Sequence, residues 1–214
     1  KNNVLINVTG NNWTADPSGA YDNYGDGIHA MGCSAGVIEG NYVDNTLIDQ
    51  SDSYLGRCGI VTEFGANNVT IANNYVAGYD RGIHAESVYA NVIKNNSVEK
   101  CGAALLLSSA KNCTIESNTF TANRRFTSGT FTGYGNCYSY GANTGCSFLN
   151  NKLKVVSGLG YSGVYVAMLF SGGGTIKDIL VEGNIIEGGF SANGGENFYV
   201  QNNTFNADPD FRTV

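Results

Sequence analysis

An asparagine returns at regular intervals inside one short phrase: NVTGNNW, VIEGNYV, TIANNYV, VIKNNSV, TIESNTF, FLNNKL, LVEGNII and YVQNNTF. The shared residue falls at Asn11, Asn41, Asn74, Asn96, Asn118, Asn151, Asn184 and Asn203. Successive gaps are 30, 33, 22, 22, 33, 33 and 19 residues. A unit of ~22 residues that tolerates insertions is what a stacked solenoid looks like in sequence.

The columns around that Asn have strand character. Three residues before it stand Val8, Ile38, Ile71, Ile93, Ile115, Phe148, Val181 and Val200; two after it stand Trp13, Val43, Val76, Val98, Phe120, Leu153, Ile186 and Phe205. Every one is apolar. Five residues before it the column is mostly apolar, from Ile6 and Val69 to Cys113, Cys146, Ile179 and Phe198. Apolar residues two apart point to one face of a strand. No segment sustains a helical apolar period. After a stretch of variable length a third strand follows: Gly27–Met31, Gly59–Glu63, Gly82–Glu86, Ala104–Ser108 and Gly189–Asn193.

Three short strands per turn, each paired with its equivalent one turn on, predict an all-β, single-stranded right-handed parallel β-helix. About eight coils would stack ~4.8 Å apart in one domain covering residues 1–214. The Asn column is expected at a bend between the second and third strands, where Asn tolerates a left-handed backbone and stacked amides can bond along the rod. The chain opens Lys1-Asn2-Asn3 with no leader pattern and no cap over the first coil. A solenoid needs covered ends, so the chain reads as a segment of a longer protein.

Composition narrows the function classes. The net charge is −6, and phosphate binding requires a basic stripe, so nucleic acid is excluded as a partner. No apolar run of ~18 residues exists to insert into a membrane. Two His and no CxxC give zinc no support. The acidic loops Asp22–Asp26 and Asp44–Asp52 give weak support for Ca²⁺, with solvated charge the simpler reading. The six cysteines are expected as free thiols, several facing the core as small hydrophobes.

Insertions in a solenoid usually gather on one face. Here the long ones follow Asn11, Asn41 and Asn118, whereas those after Asn74 and Asn96 are short. A trough should open over the third strands of the middle coils, with Trp13, Tyr21, Tyr24, Tyr54, Phe126, Phe131 and Tyr134 on its walls. Strand alternation turns His84 and Glu86 outward. It also puts Glu63 in register with Glu86, and His29 in the His84 column. Two carboxylates on neighbouring coils stand roughly 5 Å apart, the separation of a retaining glycosidase pair. Their mutual repulsion makes one an acid beside a base. Asp80 and Asp26 are reserve carboxylates. Arg81, Arg57, Tyr24, Tyr54, Tyr79 and Trp13 are the expected substrate contacts, together with His84 and His29. Neither His is expected to activate a nucleophile, because no outward Ser or Cys adjoins them. One extra residue before Ala66 leaves a second register open, in which Glu63 turns inward or Phe64 takes its place.

The NNVTIANN phrase with GIHAE-type third strands resembles the pectate-lyase-like β-helix superfamily, along the whole chain. That superfamily includes lyases, hydrolases, epimerases and phage tailspikes. The DPHD motif of its alginate epimerases is absent. An acidic rod with aromatic loops is most like a bacteriophage tailspike or polysaccharide depolymerase. The resemblance implies a polysaccharide partner, action outside the cell or on a virion surface, and a homotrimer. Hydrolysis is expected over β-elimination. A secreted lyase or epimerase, or a non-catalytic glycan-binding adhesin rod, is the alternative.

Overall fold

The computed structural model describes residues 1–8, 25–46, 56–122, 136–155, 166–171 and 175–206. Within them the chain forms three parallel sheets, one of eight strands and two of seven, and no helix. Each strand pairs with the strand three elements later, as a β-helix requires. Ile71 and Ile115 are fully buried, with Ile93, Phe148 and Val181 in the same inward column. Each such side chain contributes about 1.5–3 kcal/mol by leaving water. Phe148, Phe170 and Phe198 meet edge to face, with ring centroids 5.2 and 4.8 Å apart, and fill the wider end of the core.

The Asn column is a buried ladder. Each side-chain amide donates to the side-chain oxygen one coil on, over 2.8–3.0 Å from Asn41 to Asn203. The backbone N–H of each donates to that same oxygen. No other side chain offers an acceptor and a donor at this reach, which is why the sequence repeats Asn.

Two expectations about the ladder are corrected. It turns the corner between the strand before the Asn and the strand after it, such as Val37–Glu39 and Tyr42–Asp44. The left-handed backbone belongs to the preceding residue: Gly40, Asn73, Asn95, Ser117, Asn150, Gly183 and Asn202 all have positive φ. The first rung is Asn3, which bonds Asn41 at 3.0 Å, because Val4–Ile6 pairs with Tyr42–Asp44. Asn11 lies outside the described residues. Asn91, polar in an otherwise apolar inward column, accepts from the Val69 N–H at 2.9 Å and donates to Thr62 Oγ1 at 3.3 Å.

The third strands form a seven-stranded sheet of their own. They are Ile28–Met31, Gly56–Glu63, Tyr79–Glu86, Ala103–Ser108, Cys137–Tyr140, Val166–Ser171 and Gly189–Ala192. One of these, Val166–Ser171, has no counterpart among the expected strands, and those of the second and third coils begin earlier than expected. Gly59 and Gly82 mark where the strand turns. A Cβ on Gly59 would run into the Val76 side chain and lie 2.8 Å from the Gly82 carbonyl oxygen. Gly59 therefore faces the core, as does the next residue, Ile60. Two consecutive inward positions shift the alternation by one.

All six cysteines are free, as expected.

Candidate active site

The register places Glu63 opposite Glu86, and Val61 opposite both His29 and His84. The alternative register is excluded. The extra residue of the second coil is taken up after the strand, where Phe64 and Gly65 are both left-handed against Ser87 alone. Two outward rows result along the rod. One runs His29, Val61, His84, Leu106 and Tyr138; the other runs Met31, Glu63, Glu86, Ser108 and Tyr140.

Around the first His the side chains are tied together. Arg57 grips Asp26 with two bonds of 2.6 and 3.0 Å, and the Cys58 N–H adds a third at 3.1 Å. This bidentate pairing holds the guanidinium charged more firmly still. His29 bridges two carboxylates. Its Nδ1 lies 3.2 Å from Asp26 Oδ2 and its Nε2 lies 2.7 Å from Glu63 Oε1. Arg57 also stands 3.9 Å from Glu63. The His29 side chain is 31% exposed and that of Glu63 only 5%.

Around the second His the partners differ. His84 Nδ1 faces Cys58 Sγ at 3.8 Å, and Nε2 faces Glu86 Oε2 at 3.5 Å. Its side chain is 2% exposed, whereas that of Glu86 is 35% exposed. Burial first, then the charges of Arg81 and Arg57, hold the imidazole neutral, well below its usual range. Burial likewise pushes the Cys58 thiol up. A thiol beside a neutral imidazole is a hydrogen-bond pair and not a thiolate nucleophile.

These contacts revise several assignments. Cys58 is fully buried but lies outside the core cluster, against His84, because of the shift at Gly59. A cysteine does therefore adjoin a histidine on this face. A reading that began the strand at Gly56 and doubled the inward position at Gly59 would have found it. His84 sits on the outward side but is too covered to be a sugar contact in this structure. Tyr79 is not a surface residue: it is fully buried in the core, and burial pushes its phenol up. Asp26 is committed to Arg57, His29 and the Cys58 amide. Asp80 lies 3.6 Å from Arg81 Nε, each about one-sixth exposed. Asp44 accepts from Tyr42 Oη and the Thr46 N–H. Among the described residues no cluster of three or more His, Cys, Asp or Glu is arranged to hold a metal, and no helix is long and apolar enough to cross a membrane. Trp13, Tyr21, Tyr24, Tyr54, Phe126, Phe131 and Tyr134 lie outside the described residues. Tyr140, unnoticed in the sequence, is 47% exposed in the carboxylate row, two coils beyond Glu86.

The profile of the right-handed β-helix region family matches residues 4–205. The chain belongs to that family. Among right-handed β-helix structures it is similar to a mutant DFA-IIIase from Arthrobacter chlorophenolicus A6, with a TM-score of 0.54 and 13% identity over 85% of this chain. The same enzyme in complex with GF2 gives 0.51 at the same identity and coverage. The Azotobacter vinelandii mannuronan C-5 epimerase AlgE6 A-module gives 0.46 at 14% identity, over 87% of this chain and 55% of that one. The chain spans 42% of the length of the DFA-IIIase chain. No curated protein matches it by sequence.

Proposed function

We propose that the outer face of the third-strand sheet binds and cleaves a polysaccharide, with Glu63 and Glu86 as the catalytic carboxylates. The observation that carries this is their direct pairing on adjacent outward rungs. Paired strands lie ~4.8 Å apart, which matches the ~5–5.5 Å between the carboxyl groups of retaining glycosidases. Glu86 is the more open of the two and takes the role of nucleophile; Glu63 takes that of proton donor. Arg81 and Tyr140 flank the row as glycan contacts. In kind, the reading is a tailspike-like depolymerase acting on a bacterial surface polysaccharide outside the cell or on a virion, as a homotrimer. The shared fold with DFA-IIIase, solved in complex with DFA-III and with GF2, is compatible with this reading.

The test is incubation with a panel of bacterial surface polysaccharides, following reducing ends and the ultraviolet absorbance of unsaturated products together. Reducing ends alone are expected. Both signals would mean a lyase. Neither signal, with retained glycan binding, would leave a binding rod; the close tie of Glu63 to His29 is the observation that favours that second reading.

A further inference from the structure

We infer that Asp26, His29 and Glu63 form a proton-holding chain that makes Glu63 the donor of the pair, with His29 as its positioning residue. The inference rests on Glu63 and Glu86 being that pair.

The argument is one of proton counting. Both ring nitrogens of His29 face carboxylate oxygens, at 3.2 and 2.7 Å. An ionised carboxylate only accepts hydrogen bonds, and a neutral imidazole has one donor. Two contacts of this length therefore need two protons among the three groups. Two arrangements satisfy the count. Either an imidazolium lies between two carboxylates, or a neutral ring donates from Nδ1 to Asp26 and accepts at Nε2 from a protonated Glu63. They differ by one proton moved along the 2.7 Å contact.

The surroundings decide where that proton rests. Asp26 already accepts two bonds from Arg57 and one from the Cys58 amide, so it stays the anionic end. The mobile proton is left to the His29–Glu63 contact. From the Gly56–Glu63 strand, Arg57 and Glu63 face the ring. On the next strand the charged and titratable groups are Asp80, Arg81, His84 and Glu86, and His84 is turned to Cys58 and Glu86. Glu86 faces a different imidazole, that of His84, which burial and the charges of Arg81 and Arg57 hold neutral. The two carboxylates therefore differ in proton supply although they share one row.

In the proposed hydrolysis, the bond from the anomeric carbon to the leaving oxygen breaks as Glu86 attacks that carbon. The leaving oxygen takes the proton from Glu63. Water then displaces Glu86, and one of its protons returns to the Glu63–His29 contact, so the chain is restored with one water consumed.

The chain has only two histidines, so its imidazole nitrogens can be followed individually by long-range proton–nitrogen NMR on ¹⁵N-labelled protein, with His84→Gln for assignment. At neutral pH, His29 is expected to show both ring nitrogens protonated or sharing a proton, and His84 a single neutral tautomer. Glu63→Gln is expected to abolish the second protonated nitrogen of His29 while leaving the His84 signals in place, which also reports that the sheet is intact. Both arrangements carry a proton on Nδ1, so a His29 whose Nδ1 is unprotonated in the wild-type protein overturns the chain, with no variant required. Because no substrate is present, that failure leaves the carboxylate pair itself to be judged by turnover. Persistence of the chain together with wild-type cleavage by Glu63→Gln would overturn Glu63 as donor.

Discussion

His29 and His84 occupy one column of one sheet, two coils apart, yet their surroundings are opposite. His29 is partly exposed and bridges two carboxylates, one of which is held by Arg57. His84 is sealed, neutral, and set between a thiol and a carboxylate. The same side chain in the same register thus does two jobs, and the neighbours contributed by the strand beside it decide which. Cys58 and Arg57 are consecutive residues of one strand, yet Cys58 turns to His84 and Arg57 to the Asp26 that His29 also meets. A solenoid can in this way differentiate adjacent rungs while its backbone repeats.

The most severe way to break the contrast is to neutralise its carboxylate ends. Glu63→Gln and Glu86→Gln should each lower turnover on the cleaved polysaccharide by about 10²–10⁴-fold, the range for losing a positioned acid or base. Oligosaccharide affinity measured by calorimetry should stay within a few-fold of wild type. Wild-type turnover by both variants would end the carboxylate-pair reading.

A smaller effect separates the two histidines by stability. His84 binds its proton less readily in the fold than in the unfolded chain, whose His titrates near 6.5. The unfolded state then gains protons as the pH falls below about 6.5, and stability falls with it. One such proton sets a slope of up to about 1.4 kcal/mol per pH unit. Urea titrations between neutral and mildly acidic pH should show this slope, and His84→Asn should remove it. An unchanged slope in His84→Asn would show that the acid sensitivity lies elsewhere.

Cys58→Ala tests what fixes the His84 tautomer. Removing a buried thiol leaves Nδ1 without its partner and a small cavity beside it, together costing about 1–3 kcal/mol. Cys58→Ser should recover part of that loss, since a hydroxyl donates more strongly than a thiol. Equal stability of the Ala and Ser proteins, by chemical denaturation, would mean that the thiol only fills space.

The mildest change is at the edge of the row. Tyr140→Ala should raise KM several-fold with kcat nearly unchanged, the mark of binding shared equally by ground and transition states. A fall in kcat with constant KM would place Tyr140 nearer the reacting bond than its position two coils away suggests.

The sequence disclosed the parts of the fold that obey a rule at every coil. Inward Ile and Val columns and the amide ladder leave one residue type per position, so counting finds them. The rung that precedes Asn41 is Asn3, outside the repeated phrase, and Asn11 lies outside the described residues. The strand at Val166–Ser171 lay outside the expected set, because its unbroken apolar run shows no alternation to mark it as one face of a sheet. Within the site, the pairing of Glu63 with Glu86 followed from alternation alone. The direction of Cys58 was not legible by the same reasoning, since alternation fails where Gly59 and Ile60 place two inward residues in succession. Sealing of His84 depends on packing from several directions, which no local pattern encodes.

The amide ladder has one more consequence. Its rungs are separated by anything from 19 to 38 residues of chain, yet every rung bond falls between 2.8 and 3.0 Å. Each coil is therefore re-phased at one corner, whatever length of chain has been spent on the others. Insertions and deletions after the strand that follows the Asn are absorbed before the next rung and do not propagate. The rod behaves as a ruled page on which one margin is fixed, so that new loops can be written beside the Glu63 and Glu86 row without disturbing the lines above or below.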